Sequence, residues 1–309
     1  MRGEPVMSLR STVFFALGVA VVAATGLAAA QQTFRSGVNL VHVPVVVTAR
    51  DGAMIRGLAR EDFQLTENGV AQTVQFFTEG SADEKLPLHI GLLLDVSGSM
   101  GPELAQAETA AIRFVNALDE AQDVTLVDFD EQVRVARFTP SDYPRLFERI
   151  RGKKPDGSTA LYDAIGMYLR STNDQSGQRV LLLYTDGGDN TSALSFGQLE
   201  KLIKRDDVLV YSIGYRNGTA RMGTEQIQLN AIAHDTGGEG FFPQDSRELN
   251  AIYAKVLDEL GSRYTLGYLS TNPREDGAWR KIEVKVTRPD AAKAKIRTRP
   301  GYFAATAVK

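Results

Sequence analysis

His89-Ile90-Gly91-Leu92-Leu93-Leu94-Asp95-Val96-Ser97-Gly98-Ser99 passes from an apolar run straight into a polar turn. An apolar run of this length, closed by turn residues, reads as a buried strand. The strand ends in one carboxylate and two hydroxyls at every second residue: Asp95, Ser97 and Ser99. Hard oxygen donors spaced this way suit Mg²⁺ or Mn²⁺. Downstream, Leu104, Ala107, Ala111, Ile112, Val115 and Leu118 recur at three and four, the single apolar face of a helix. The donors are therefore expected at the carboxyl edge of a sheet, where open α/β folds bind ligands.

The same alternation continues over residues 88–260. Candidate strands fall at 88–95, 122–129, 132–138, 179–185, 207–213 and 239–243, with helix-period stretches between most of them. Strands alternating with helices predict a doubly wound α/β fold, a mostly parallel six-stranded sheet covered on both faces. The second and third strands are too close in sequence for a crossover. Asp130-Glu131 between them reads as a hairpin turn, which makes one edge strand antiparallel.

Two later segments complete a pattern. Gly157-Ser158-Thr159-Ala160-Leu161 precedes a helical stretch, and Thr185-Asp186-Gly187 follows the apolar run Val180-Leu181-Leu182-Leu183-Tyr184. Asp95, Ser97 and Ser99 resemble the Asp-x-Ser-x-Ser loop of von Willebrand factor type A domains. The other two segments resemble the loops that carry that family's metal-site threonine and second aspartate. One such loop alone matches by chance; three in order, each beside the right kind of element, are far more specific. The resemblance spans residues 86–262. With its flanks, the chain is also similar to bacterial secreted VWFA-related proteins.

The resemblance implies a complete metal-ion-dependent adhesion site. Ser97 and Ser99 would bind the ion directly, and Thr159 would do so when a ligand is present. Asp95 and Asp186 would act directly or through water. One position stays open for an Asp or Glu carboxylate of a protein partner. Mg²⁺ is the implied ion, with Mn²⁺ or Ca²⁺ as oxygen-ligated alternatives. Asp156, Asp189 and Asn190 lie near the site and are candidates for partner contact. Each piece also has a plainer reading. Ser97 or Ser99 could cap a helix, Thr159 could be an N-cap, and Asp186-Gly187-Gly188 could be an ordinary turn. Gly98 and Gly187 are expected to serve tight turns around the ion.

The flanks, residues 31–85 and 263–309, read as β structure. Residues 38–49 form a strand in which Pro44 argues for an edge or a bulge. Residues 59–63 suit one short helical turn. Asn68-Gly69 is a hairpin signal, with Val70, Gln72, Val74 and Phe76 in the second strand. After Gly261, Tyr264-Thr265-Leu266-Gly267-Tyr268 reads as a strand, and Ile282, Val284 and Val286 alternate with charged residues in another. Ala294-Lys295-Ile296-Arg297 opens a last strand that ends near Gly301-Tyr302. Neither flank has enough strands to stand alone. Residues 38–80 and 263–303 are therefore expected to pair into one β-sandwich-like domain with the α/β domain inserted. The rival arrangement is two separate β units.

Composition narrows the function classes. The 309 residues carry a net charge of −3 with signs mixed along the chain, and no basic stripe suggests nucleic acid. There is no cysteine, which excludes disulfides, zinc–thiolate sites and thiol catalysis. Arg2 and Arg10, an apolar run over 12–30 and Ala28-Ala29-Ala30 before Gln31 read as a signal peptide, residues 1–30. An uncleaved anchor is the alternative. Either predicts a secreted or periplasmic protein with no further membrane span. Enzyme readings are poorer. No P-loop and no G-x-G-x-x-G is present, Ser99 lacks a G-x-S-x-G elbow, and the only histidines are His42, His89 and His234. The expectation is an extracytoplasmic, metal-dependent protein-binding module and not an enzyme. The alternatives are an envelope scaffold with a structural metal and a metal-dependent hydrolase.

Overall fold

A computed structural model of the chain describes residues 40–80, 87–101, 103–118, 121–186, 188–214, 223–244, 247–291 and 293–306. The expected signal peptide and Gly187 lie outside the described residues. The chain opens with β1 (Leu40–Thr48), a 3₁₀ turn at Arg60–Asp62, β2 (Phe63–Glu67), β3 (Val70–Gln72) and β4 (Val74–Glu79). The α/β block follows: β5 (Leu88–Asp95), α1 (Leu104–Asn116), β6 (Ala121–Phe129), β7 (Val133–Phe138), α2 (Tyr143–Arg151), α3 (Leu161–Ser171), β8 (Gln178–Thr185), α4 (Phe196–Arg205), β9 (Val208–Gly214), α5 (Thr224–Asp235), β10 (Gly240–Phe241) and α6 (Glu248–Ser262). The last strands are β11 (Tyr264–Leu269), β12 (Trp279–Val286), β13 (Lys295–Thr298) and β14 (Gly301–Phe303).

The central sheet has the order β10-β9-β8-β5-β6-β7. It is parallel except for β7, which pairs antiparallel with β6 through the Asp130-Glu131 hairpin. Strand alternation divides the core. Ile90, Leu92 and Leu94 pack with α1, α2 and α6, whereas Leu93, Leu181 and Leu183 pack with α3, α4 and α5. Gly91 sits where the Tyr168 ring of α3 crosses β5; a Cβ there would lie 2.3 Å from the ring. From β5 the chain crosses to β6 on one side, and from β8 it crosses to β9 on the other. The point between these two adjacent strands, where the direction of winding reverses, is the place at which doubly wound sheets bind ligands.

The two flanks interleave in two further four-stranded sheets, β13-β1-β11-β4 and β14-β12-β2-β3. Val43, Val45, Leu65, Leu266 and Ile282 bury their side chains in one core between these sheets. Asn68 (φ 50°) and Gly69 (φ 81°) both take positive φ, the conformation a two-residue hairpin turn demands.

Three local expectations need correction. β1 is an internal strand and not an edge. Pro44 is tolerated because it pairs only with Thr265 of β11, and pairing with β13 begins one residue later, at Val45. The strand after the Asn68-Gly69 turn is not continuous: it breaks at Thr73, so β3 stays beside β2 while β4 crosses to β11. Likewise β13 and β14 are separate strands in different sheets, divided at Arg299-Pro300, where proline cannot donate to a ladder.

The β sheets sit at the amino edge of the central sheet. Arg297 of β13 pairs with Glu259 near the end of α6, and Arg299 and His42 both reach Asp207, just before β9. Lys204 lies over the Trp279 ring at 5.7 Å and Arg205 over Phe303 at 5.6 Å. α6 runs into β11 with only Arg263 between them. The carboxyl edge therefore lies about eight strand residues, roughly 26 Å, from this contact.

Candidate metal centre

Asp95 is the last residue of β5 and is fully buried. Its Oδ1 accepts from the Ser97 amide at 2.9 Å, and its Oδ2 accepts from the Thr185 hydroxyl at 2.6 Å. Burial pushes its carboxyl up to about 6, against hydrogen bonds from Ser97 and Thr185 that pull it down; the charge of Asp186 adds to the rise. A carboxylate held this way is starved of positive charge, the condition a cation would relieve.

The loop beyond it is a single 3₁₀ turn, Gly98–Met100. Ser97 occupies the cap position without using its side chain as a cap, and its Oγ lies 3.2 Å from the Ser99 Oγ. Ser97 is buried and Ser99 exposed, so the pair leads from the interior to the surface. Adjacent oxygens in an octahedral Mg²⁺ shell are about 3 Å apart, so this hydroxyl pair fits two neighbouring vertices.

Two further loops lock onto this one. The Asp156 amide donates to the Val96 carbonyl (3.0 Å) and the Gly98 amide to the Gly157 carbonyl (3.1 Å). Gly157, at φ 74°, is the glycine this junction requires by its backbone conformation; Gly98 opens the tight 3₁₀ turn without a positive φ and lies against the Gly157 backbone. Thr159 is buried and does not cap α3, because Ala160 takes that position. The Thr159 amide donates to Asn190 Oδ1 (2.9 Å), and its carbonyl accepts from the amides of Asn190 (3.1 Å) and Thr191 (3.3 Å). Asp186, half-buried, stands one residue beyond the Thr185 that holds Asp95, and its Oδ1 accepts from the Gly188 amide at 3.3 Å.

The three candidates for partner contact divide. Asp156 is exposed, with Oδ1 accepting from the Gly157 amide. Asp189 turns Oδ1 inward to the Tyr162 amide and the Ser192 hydroxyl, a cap on the first turn of α3. Asn190 is exposed but spends its side-chain oxygen on Thr159.

Sequence reading missed a second layer. Asp128 on β6 is fully buried and accepts from Arg134 (2.7 Å), Arg149 (2.7 and 2.9 Å) and Lys153 (2.5 Å). These cations hold its carboxyl below the usual range against the cost of burial. Lys153 begins the loop that leads to Thr159, and the Ala160 amide closes that loop on the Asp130 carbonyl. Only the cluster of basic residues at 149–154 hinted at this hub. Among the described residues no group of three or more His, Cys, Asp or Glu gathers as for a metal. The residues expected as ligands on these three loops are two carboxylates and three hydroxyls, an oxygen set that suits a hard divalent cation. The histidines are elsewhere: His89 Nδ1 lies 3.1 Å from Asp123, His42 reaches Asp207, and His234 is in the last turn of α5.

Several known proteins are similar to this chain. The chain is 27% identical over 189 residues to an uncharacterized protein of Synechocystis sp., covering 58% of this chain and 43% of that one. It is 29% identical over 194 residues to human von Willebrand factor A domain-containing protein 3A, covering 59% of this chain and 16% of that one. The chain thus spans less than half the length of either relative. Among solved structures, a von Willebrand factor type A protein from Catenulispora acidiphila superposes with a TM-score of 0.49 at 13% identity, covering 88% of this chain and 76% of that one. The sequence profile of the von Willebrand factor type A domain matches residues 89–255, more than half of the chain, and the chain belongs to that family.

Proposed function

We propose that this protein is an extracytoplasmic binding module that holds a divalent cation, Mg²⁺ by preference, at Asp95, Ser97, Ser99, Thr159 and Asp186, and captures an acidic residue of a protein partner there. The observation that carries the reading is the interlocking of three loops at the carboxyl ends of β5 and β8, where Asp95 is buried two residues before a pair of hydroxyls 3.2 Å apart. A bound cation would supply a coordination position with much of its positive charge intact, since only two carboxylates stand against it. The chain's own residues do the rest: Thr185 orients Asp95, and the loops around Gly157 and Asn190 bring Thr159 to the same edge.

The β sheets lie at the opposite edge and leave this face open, which suits an exposed binding surface. A hydrolytic role has less support, because none of the three histidines stands beside Ser99 in a hydrogen-bonded pair. The expected export of the chain places the partner in the cell envelope or outside it. Among the described residues no helix is long and apolar enough to cross a membrane.

The reading is tested with an Asp-containing peptide and its Asn counterpart, each titrated with Mg²⁺ or with EDTA. Binding that needs both the cation and the carboxylate is expected. Equal binding of both peptides in EDTA would overturn it.

A further inference from the structure

We infer that Asn190 is a positioning residue that sets the affinity and the Mg²⁺-over-Ca²⁺ preference of the cation site by clamping Thr159; this rests on the cation-binding reading above. The clamp has two directions. Asn190 Oδ1 accepts the Thr159 amide at 2.9 Å, and the Asn190 amide donates to the Thr159 carbonyl at 3.1 Å. Both backbone polar groups of Thr159 are thus taken by one residue of the loop that carries Asp186.

The surroundings make this bond the joint between two loops. On one side, Asp189 accepts from the Tyr162 amide and the Ser192 hydroxyl, and the Ser192 hydroxyl accepts from the Asp163 amide. Asp163 in turn accepts from the amides of Ala193 (2.8 Å) and Leu194 (3.0 Å). The segment 189–194 and the first turn of α3 are therefore one rigid piece. On the other side, residues 156–157 are bonded to the β5 loop at Val96 and Gly98. Between these fixed ends the Thr159 backbone is held by Asn190 and, at 3.3 Å, by the Thr191 amide.

Rigidity is what separates the two cations. Mg²⁺ demands near-octahedral oxygens at about 2.1 Å, whereas Ca²⁺ accepts six to eight at 2.3–2.6 Å in flexible arrangements. A loosened Thr159 should therefore harm Mg²⁺ more than Ca²⁺. Residues that orient metal ligands without touching the metal typically change affinity by about 10- to 100-fold when removed.

The test compares wild type, Asn190→Ala and Asn190→Asp by calorimetric titration of Mg²⁺ and of Ca²⁺, beside hydrogen exchange of the Thr159 amide without cation. Asn190→Asp keeps the acceptor oxygen, and the exchange arm reads the clamp independently of the added charge. Asn190→Ala is expected to weaken Mg²⁺ about tenfold, to weaken Ca²⁺ less, and to expose the Thr159 amide; Asn190→Asp is expected to restore its protection. Unchanged Thr159 protection in Asn190→Ala, or an unchanged Mg²⁺-to-Ca²⁺ ratio, would overturn the inference. Wild-type protein that binds neither cation would instead remove the cation reading itself, and this inference with it.

Discussion

The Thr185 hydroxyl donates a 2.6 Å hydrogen bond to Asp95 Oδ2 and so joins the carboxyl ends of β8 and β5, 90 residues apart in sequence. It is a buried contact to a carboxyl group, where a hydrogen bond stabilises the ionised form and fixes its orientation. Thr185→Val, which keeps the shape and removes the hydroxyl, is expected to raise the Asp95 pKa further and to weaken cation binding at neutral pH. A hydrogen bond to a charged group contributes about 1.5–3 kcal/mol, so a loss of roughly 10- to 100-fold in affinity is expected from titration calorimetry.

Asp95 also gives the apoprotein a pH signature. Its carboxyl is raised from 3.8 to about 6 by burial. Between those values the folded state holds a proton that the unfolded state has released. The stabilisation is fully present below about pH 4 and is lost as pH rises through 6. Its size is on the order of 3 kcal/mol. A cation competes with that proton, so its affinity is expected to fall about tenfold per unit below pH 6. Urea unfolding of wild type and Asp95→Asn across pH 4.5–7.5 checks the first part; parallel curves for the two proteins would contradict it.

Asp128 is expected to be among the most sensitive charged residues in the chain. Removing it leaves Arg134, Arg149 and Lys153 facing one another with no shared anion. Loss of one partner from a buried ionic cluster costs about 3–5 kcal/mol. Asp128→Ala should lower the denaturation midpoint accordingly. By contrast, Glu283→Ala, which removes the exposed pair with Lys281, should leave the midpoint nearly unchanged.

Glycines separate in the same way. Gly91→Ala would drive a Cβ to 2.3 Å from the Tyr168 ring and 2.7 Å from Leu181 and is expected to cost about 1–3 kcal/mol. Gly197→Ala, in the first turn of α4, meets nothing within 4 Å and should stabilise by up to about 1 kcal/mol. Thermal unfolding of the two variants should shift in opposite directions.

Much of this was legible in the sequence because local chemistry and fold agree. An apolar run that stops at Asp95 announces a buried strand, and the Asn68-Gly69 turn sets its own φ values. The six strands of the central sheet and the antiparallel β7 follow from spacing alone. Where the sequence misled, pairing decided the outcome. Pro44 looked like an edge residue, yet an internal strand accommodates it because the neighbour on one side starts at Val45. Thr73 and Arg299-Pro300 mark places where a strand changes sheets, which no alternation pattern records. Within the site, donor identities were readable as a spaced motif. The supporting roles of Thr185, Asn190 and Asp128 were not, since each depends on a partner that only the fold brings near.

Cation binding at Asp95, Ser97, Ser99, Thr159 and Asp186 is read out by calorimetric titration of Mg²⁺ and Mn²⁺ into the protein at pH 7.5, beside Asp95→Ala and with or without free acetate. Binding of one ion per chain, abolished in Asp95→Ala and strengthened by the carboxylate, is the expected result. Folded wild-type protein that takes up neither ion, even with acetate present, would mean that these five residues do not form a cation site.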